Sequence, residues 1–594
     1  MIGFRRNAVK LRVSLGVVVV LGLAACSRPV TRPQPPQEPA AVVQPARPEA
    51  PLTGKAVPPA PEAKKDQLTA PLLYDVLLGE IAGQRGKLGV SGAAYLEAAR
   101  MSDDPRVAER ALKIAIYGNQ LQTALQAARR WVELAPENLE ARQTLAILAL
   151  RNGQRDEALK NFRYLLKQSQ GTGKSSPYTG ILVMLAREPD KQAALEVMDQ
   201  LAALRPEDPE AHFAYARLAV HASKWSLAQR EVDRALQLHP GWTEALILRA
   251  QIALKQGNGQ LARRQLEEAL KKRPDDADLR LAYARLLVDL EDFDAARTQY
   301  RKLERLQPRN GQVIYSLALL ALEAGQLDEA RKFFEKLVKL DYQTQQAYYY
   351  LGAIAEEQKK DRRAMEWYGK VGEGDHWLEV QIRLAVLEAR AGDLAVARER
   401  LHKLRLSHPE QAQRLFLVEG DILAQNGHEQ EAFDLYTHYL EMHPDDIEVL
   451  YARALIAERL DRLAVAESDF RRILKIDPGN VRTLNALGYT LADRTDRYRE
   501  ALGYIEKAFA KTPDDPAVID SMGWVLYRLG RLQEARELLQ SAYEMTGDGE
   551  IAAHLIQVMW AMGDKDAARA LWKEASKKQP GHKVLEETAR RLSL

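Results

Sequence analysis

The residue best suited to covalent chemistry in this 594-residue chain is its single cysteine, Cys26. A thiol can form a disulfide or ligate a metal, but both need partner residues that one cysteine does not have. A free cysteine is ordinarily a small buried hydrophobic residue. The residues around Cys26 therefore determine whether it is better interpreted as a buried core residue or as a site of covalent modification.

A second candidate is the stretch GTGKSS, whose last residues resemble the end of a phosphate-binding loop at Gly173, Lys174 and Ser175. That motif requires a glycine at position 168 and a β-strand before the loop. Position 168 is Gln168, and no strand pattern precedes it. We therefore expect no nucleotide binding and no nucleotide cofactor.

The sequence also gives no support for a metal site or for a hydrolase active site. The eleven histidines are scattered, and His438 and His443, five residues apart, do not share a helix face as metal ligands would. We expect the histidines to be solvated. Ser521 follows Asp520, but no histidine at a suggestive spacing could serve as its base. We predict no catalytic residue, no metal, no cofactor and no enzymatic activity.

The context of Cys26 is a secretory signal. Val13 to Leu23 form an apolar stretch too short to remain as a membrane span, and basic residues precede it: Arg5, Arg6, Lys10 and Arg12. The sequence Leu-Ala-Ala-Cys ending at Cys26 resembles the bacterial lipobox, in which the cysteine is diacylated, the signal is removed and the new N-terminus is acylated. The resemblance implies a signal peptide at residues 1–25 and lipidation at Cys26. Because Ser27 and not Asp comes next, it implies a lipid anchor on the periplasmic face of the outer membrane of a Gram-negative bacterium.

The segment after the signal is proline-rich and carries no excess of positive charge. Loss of residues 1–25 would remove four positive charges and change the formal net charge from +3 to −1, so no basic surface for nucleic acid is expected. Residues 27–70 contain eleven prolines and few large apolar side chains, so we predict an acylated cysteine and a disordered tether over residues 26–70. Extended, it would reach on the order of 100 Å. A spacer and a ligand for a proline-binding module both fit this composition.

From about residue 71 the sequence repeats with a period of 34 residues. Prolines recur at that interval at Pro206, Pro240, Pro274 and Pro308, and continue nearly in step at Pro409, Pro444, Pro478, Pro513 and Pro580. Between them, small residues recur at fixed positions, as with Gly523 and Ala535. Small residues let two helices approach closely, and proline ends the second helix.

This pattern resembles the tetratricopeptide repeat, in which each helix pair packs on the next. The resemblance implies an all-α fold, a right-handed α-solenoid of about fourteen helix pairs that bury one continuous apolar strip. Two departures break the period: the long loop at residues 168–177 and the glycine-rich segment at residues 371–378. We place the main break at the second, which predicts an N-terminal superhelix over residues 71–375 and a C-terminal one over residues 376–594.

The first helix of each pair lines the inner wall of such a superhelix. Positions two, five, nine and twelve of these helices supply aromatic and polar residues of the types that dominate protein-binding sites. We predict a protein-binding groove formed by Phe213, Arg217, Arg285, Tyr315, Tyr349, Tyr451, Arg482, Asn485, Tyr489, Asp520, Trp524, Tyr527 and Trp560. The alternative is that a part of these aromatic side chains packs against neighbouring repeats.

The first predicted helix is more apolar than a terminal helix needs to be. Its apolar residues spread over more than half of the helix circumference: Leu72, Leu73, Val76, Leu77, Leu78 and Ile81. The surplus could dock on a partner protein or pack on the following repeats. Both alternatives remain open at this point.

The combination of lipobox, tether and repeats is similar to outer-membrane lipoproteins of the LbcA type, adaptors of carboxyl-terminal processing proteases. The similarity is strongest over residues 483–564, although Ile556 replaces the glycine usual in the last segment. It implies that the chain binds a periplasmic serine protease and presents peptidoglycan hydrolases to it as cargo, which would control cell-wall remodelling. We assign the first helix to the protease and the C-terminal groove to the cargo.

Two other functional classes remain. Long periplasmic repeat proteins also serve as scaffolds for exopolysaccharide export or envelope-complex assembly, and an enzyme acting on peptidoglycan would need a catalytic constellation that the sequence does not suggest. Proteins that co-purify with the chain, or its activity on cell-wall sacculi, would separate the three.

Overall fold

A computed structural model describes residues 69–168 and 177–594, and these residues form α-helices, one short 3-10 helix at Pro409–Gln411 and no β-strand. Cys26, the predicted signal peptide and nearly all of the predicted tether lie outside the described residues. The stretch GTGKSS lies outside them as well, between two described helices. Predictions about these segments stay predictions.

Internal contacts divide the chain into two compact units between Phe333 and Phe334. The described helices that begin in the first unit are α1 (Ala70–Gln84), α2 (Leu88–Met101), α3 (Pro105–Tyr117), α4 (Leu121–Leu134), α5 (Leu139–Arg151), α6 (Arg155–Gln168), α7 (Pro177–Ala186), α8 (Lys191–Ala203), α9 (Pro209–His221), α10 (Trp225–Leu238), α11 (Thr243–Lys255), α12 (Gly259–Lys272), α13 (Ala277–Asp289), α14 (Phe293–Leu306), α15 (Gly311–Glu323) and α16 (Leu327–Lys339).

The helices that begin in the second unit are α17 (Thr344–Glu357), α18 (Asp361–Tyr368), α19 (Trp377–Arg390), α20 (Leu394–Ser407), α21 (Ala412–Gln425), α22 (Glu429–Met442), α23 (Ile447–Arg459), α24 (Leu463–Ile476), α25 (Val481–Arg494), α26 (Tyr498–Lys511), α27 (Pro516–Arg528), α28 (Leu532–Thr546), α29 (Gly549–Ala561), α30 (Lys565–Lys578) and α31 (Lys583–Leu592). Odd-numbered helices up to α29 are the first, or A, helices of fifteen successive pairs, and even-numbered helices are the B helices. The predicted all-α solenoid is confirmed, with α31 after the last pair.

The repeated prolines and acidic residues explain where these helices begin and end. Pro274, for example, comes two residues after the last residue of α12, where its missing N–H cannot interrupt the helix. Asp276 then caps α13, because its carboxylate accepts a hydrogen bond from the N–H of Leu279 at 3.0 Å. Asp446 caps α23 in the same way after Pro444.

Small residues set the distance between the A and B helices of one pair. Gly420 on α21 faces the ring of Tyr436 on α22, and Gly523 on α27 faces Leu539 on α28. The packing repeats along each unit, so that a single apolar cluster runs from Tyr95 to Ile252 in the first unit. Another runs from Leu423 to Leu585 in the second.

This packing predicts opposite effects for two glycine substitutions. Gly420→Ala should lower the free energy of unfolding by about 2 kcal/mol, because the new methyl group would overlap the buried Tyr436 ring. Gly503→Ala, in the middle of α26 with open space around it, should instead raise it by about 0.5 kcal/mol. Urea unfolding followed by circular dichroism measures both, and equal effects of the two substitutions would contradict this account of the helix spacing.

The predicted break at residues 371–378 coincides with an irregular pair. Helix α18 has 8 residues, whereas the other described B helices have 13 to 15. Gly374 after it adopts a φ of 152°. The compact units separate at 333/334. The predicted division into two superhelices at 375/376 stays a prediction. Within the described ranges, none of the helices is both long enough and apolar enough to cross a bilayer.

Candidate protein-binding surfaces

The first candidate surface is the exposed side of α1. Leu73, Leu77 and Ile81 are 42%, 51% and 48% exposed and occur at intervals of four residues, so they lie on one face of the helix. Tyr74 beside them is 65% exposed. We call these four residues the α1 face. Of the other predicted docking residues, Leu72 is buried, and Val76 and Leu78 are half-buried.

Contacts on the opposite side of α1 hold the helix in place. Gly79 lies against the ring of Tyr95 on α2, and the Ser91 hydroxyl donates a hydrogen bond to the Gly79 carbonyl oxygen at 2.6 Å. The Tyr95 hydroxyl also donates to the carboxylate of Glu80. The packing of α1 on α2 therefore does not need the α1 face, and the described part of the chain leaves these apolar side chains exposed.

The second candidate surface lies on three successive A helices of the second unit. His554 on α29 is 4% exposed, and its Nδ1 lies 2.9 Å from Oδ1 of Asp520 on α27. Its ring stacks on Trp524 at a centroid distance of 4.2 Å. The hydroxyl of Tyr489 on α25 lies 3.4 Å from its Nε2. These four residues, which we call the His554 cluster, join α25, α27 and α29 through side chains.

The charge of His554 depends on its neighbours. Burial is the largest single influence and lowers the pKa of the imidazole, but the charge and hydrogen bond of the Asp520 carboxylate together with the charges of Glu550 and Asp493 raise that pKa above its ordinary value. Burial raises the pKa of the Tyr489 hydroxyl well above its ordinary value, and the same carboxylates raise it further. The folded cluster therefore favours a protonated imidazole paired with Asp520.

His554→Gln should lower the free energy of unfolding by about 3 kcal/mol at pH 6, because Asp520 would remain buried without its cation. Since the pKa of His554 is raised in the folded state, the stabilisation is complete below about pH 6.5 and is lost as the pH rises through the raised value. The difference between wild type and variant should shrink from pH 6 to pH 9 in urea unfolding. The matched control is the exposed His438, and a loss independent of pH, or equal in His438→Gln, would contradict this account.

The remaining predicted groove residues are distributed over both units. In the first unit, Phe213 packs on Trp242 at a centroid distance of 4.4 Å, and Arg217 lies over its ring. Arg285 is exposed and Tyr315 half-buried. The others belong to the second unit: Tyr349 stacked on His376, Tyr451 buried under Arg482, Asn485 half-buried, Tyr527 next to Trp524, and Trp560 beside Lys565.

Three of the predicted groove residues are in contact in the His554 cluster, namely Tyr489, Asp520 and Trp524. The fourth member, His554, was expected to be solvated, and that expectation is wrong: the ring is buried between two A helices. A signal for it was present, since Asp520 and His554 are separated by 34 residues, one full repeat, which places them side by side on adjacent A helices.

Comparisons with known proteins cover most of the chain. Models of the tetratricopeptide repeat match residues 247–311, 382–447, 417–481 and 485–550, and a second set matches residues 291–355 and 526–586. The TPR repeat-containing protein PA4667 of Pseudomonas aeruginosa is 39% identical over 526 residues, which cover 88% of this chain and 85% of that protein.

Two further similarities are more limited. Bacteriophage adsorption protein A of Escherichia coli is 38% identical over 78 residues, 13% of this chain and 8% of that protein. The crystal structure of the APC/C hetero-tetramer Cut9–Hcn1 aligns with 88% of this chain and 97% of the matched one, at 12% identity and a TM-score of 0.30.

Proposed function

The chain belongs to the tetratricopeptide-repeat family, and we propose that it is a membrane-anchored periplasmic scaffold without catalytic activity of its own. Its repeats form a scaffold suited to protein–protein interaction. In this proposal the chain is an adaptor of the LbcA type, which binds a serine protease of the carboxyl-terminal processing type. It presents peptidoglycan hydrolases to that protease and thereby controls cell-wall remodelling.

The observation that carries the proposal is that the two units carry side-chain groups of opposite chemistry, one apolar and exposed, the other polar, aromatic and largely buried in the isolated chain. The α1 face on the first unit is apolar, and exposed apolar side chains on one helix are suited to a groove on a partner protein. The His554 cluster on the second unit is aromatic and charged. Surfaces this different favour two different partners over two copies of one partner.

An adaptor of this kind acts by raising a local concentration. If protease and hydrolase are both bound to one chain, each meets the other at an effective concentration of roughly the millimolar range, set by the scaffold and not by diffusion. Acylation at Cys26 and the proline-rich tether would keep this assembly at the membrane yet within reach of the cell wall. No catalytic group on the scaffold is needed for this effect.

Affinity purification of the acylated chain from solubilised envelopes, with identification of the co-purifying proteins, tests the proposal. The expected result is recovery of a carboxyl-terminal processing protease together with one or more peptidoglycan hydrolases. Recovery of polysaccharide synthase components without a protease would overturn it in favour of the export scaffold. Hydrolysis of cell-wall sacculi by the pure chain would overturn the non-catalytic part.

A further inference from the structure

Carboxylates from four successive A helices surround Tyr489 in the second unit. Glu458 on α23 accepts a hydrogen bond from the hydroxyl of Thr490, the residue after Tyr489, and Asp493 lies one turn after Tyr489 on α25. Asp520 on α27 pairs with His554, and Glu550 lies one turn before His554 on α29. Burial raises the pKa of the Tyr489 hydroxyl, and all four carboxylates raise it further. Burial also raises the pKa of Glu458, although the hydrogen bond that the Thr490 hydroxyl donates to this carboxylate partly lowers it. Together these four acids concentrate negative charge on the A helices of this part of the second unit.

The cations near this charge are held by other groups. Arg528 on α27 donates to the backbone carbonyl oxygen of Asp493 at 3.3 Å and to the Tyr498 hydroxyl at 2.6 Å, and not to the Asp493 carboxylate. Arg482 on α25 forms an ion pair with Glu448 at 2.8 Å, and Arg494, which lies near Glu458, forms one with Asp461 at 2.6 Å. His554 pairs with Asp520. For Glu458, Asp493 and Glu550, the described part of the chain provides no cation within ion-pair distance. Partly buried carboxylates without a counter-charge gain most from a cationic ligand.

Two neutral polar atoms on the same helices also have no partner. Trp524 is 5% exposed, and its buried Nε1 donor finds no acceptor among the described residues. On α25, one turn before Tyr489, the buried Oδ1 of Asn485 finds no donor. Buried polar atoms in native proteins are normally hydrogen-bonded, so an unpaired donor and an unpaired acceptor beside one cluster indicate that a ligand completes them.

We propose that this surface binds an extended peptide segment that carries a lysine or arginine side chain. The cationic group lies among Glu458, Asp493 and Glu550, against the face of the Tyr489 ring. Peptide groups of the same segment accept a hydrogen bond from Nε1 of Trp524 and donate one to Oδ1 of Asn485. A peptide is the ligand that supplies all three elements together: a cation, a carbonyl oxygen and an N–H.

Other ligands fit these observations less well. In the described ranges, no three His, Cys, Asp or Glu side chains are grouped to hold a metal ion. A nucleic acid or another polyanion would be repelled by the four carboxylates. The inference rests on the proposed function, because it names the chemistry by which the second unit would hold its cargo.

Fluorescence anisotropy with the full acylated chain in detergent tests the inference. Three labelled twelve-residue peptides of alanine and glutamine would carry three lysines, three glutamates or no charge. The lysine peptide should bind at least tenfold more tightly than the neutral one, the glutamate peptide should bind most weakly, and the preference for lysine should weaken when salt rises from 50 to 300 mM. Equal affinities for the three peptides would overturn the inference.

Substitutions at this surface test whether the lysine peptide binds there. The double variant E458Q/D493N should lose about tenfold in affinity for the lysine peptide and none for the neutral peptide. The control D434N/E587Q changes the net charge equally at exposed positions on α22 and α31 and should lose nothing. Trp524→Phe, which keeps an aromatic ring but removes the N–H donor, should weaken the binding of all three peptides several-fold.

A lysine preference that survives E458Q/D493N, with circular dichroism unchanged, would overturn the assignment to this surface. The proposed function fails differently, through the absence of protease and hydrolase from the purified complex. A hydrolase that co-purifies while the lysine preference is absent would leave the adaptor role standing and remove this inference alone.

Discussion

Cys26→Ser is expected to move the protein almost completely from the membrane fraction to the soluble fraction. Serine has no thiol to acylate, and none of the described helices can span a bilayer in place of the acyl chains. Stable anchoring needs at least two hydrophobic signals, and the lipobox resemblance implies three acyl chains on this one residue. Fractionation of envelopes and soluble periplasm, with detection of the chain in each, measures the effect.

The matched control for this prediction is Ser27→Ala, which changes the next residue and keeps the thiol. It should leave the chain in the membrane fraction. Circular dichroism of the Cys26→Ser protein should match that of the wild type, because residue 26 lies outside the helical repeats. A Cys26→Ser chain that still fractionates with membranes would contradict lipidation at this residue as the anchor.

The helical repeats could be predicted because their signals are local and recur. A proline two residues after a B helix and an Asp or Asn cap before the next A helix act within a few residues, as Pro274 and Asp276 do. Their recurrence every 34 residues makes each repeat support the assignment of the others. The predicted number of pairs, about fourteen, is close to the fifteen formed by the described helices for the same reason.

The candidate surfaces were harder to predict, because repeat position alone does not decide burial. Tyr451 and Tyr489 both occupy positions predicted to line the groove, the fifth of α23 and the ninth of α25, yet Tyr451 lies buried under Arg482 whereas Tyr489 meets the His554 ring. That difference depends on which side chains the neighbouring repeats supply. The charge on His554 likewise depends on Asp520 and Glu550, which come from two different helices. Such properties arise only when specific repeats are side by side.

The triple variant L73E/L77E/I81E is expected to reduce recovery of the protease with the chain at least tenfold. Each of the three side chains is about half exposed in the isolated chain, and burying the exposed half of one at an interface contributes about 1 kcal/mol. Replacing one by a carboxylate removes that contribution and adds the cost of burying a charge. Recovery of the hydrolase, which the second unit is proposed to bind, should not change.

The matched control carries the same chemical change on B helices of the second unit, where Leu406, Met442 and Ile476 are also exposed. The variant L406E/M442E/I476E should recover as much protease as the wild type. If both triple variants lost protease equally, the cause would be the added charge and not the α1 face. If neither lost it, the assignment of the protease to α1 would be wrong.

Substitution at the α1 face is a sharper test than deletion of residues 71–84. Deletion would also remove Leu72 and Gly79, which pack into the first unit, and would expose the Tyr95 ring that Gly79 covers. Loss of binding after deletion could then reflect local unfolding of α2. The three substituted side chains instead lie away from Gly79 and from the Ser91 hydrogen bond. Loss of the protease with unchanged helical content would therefore show that the apolar face itself makes the contact.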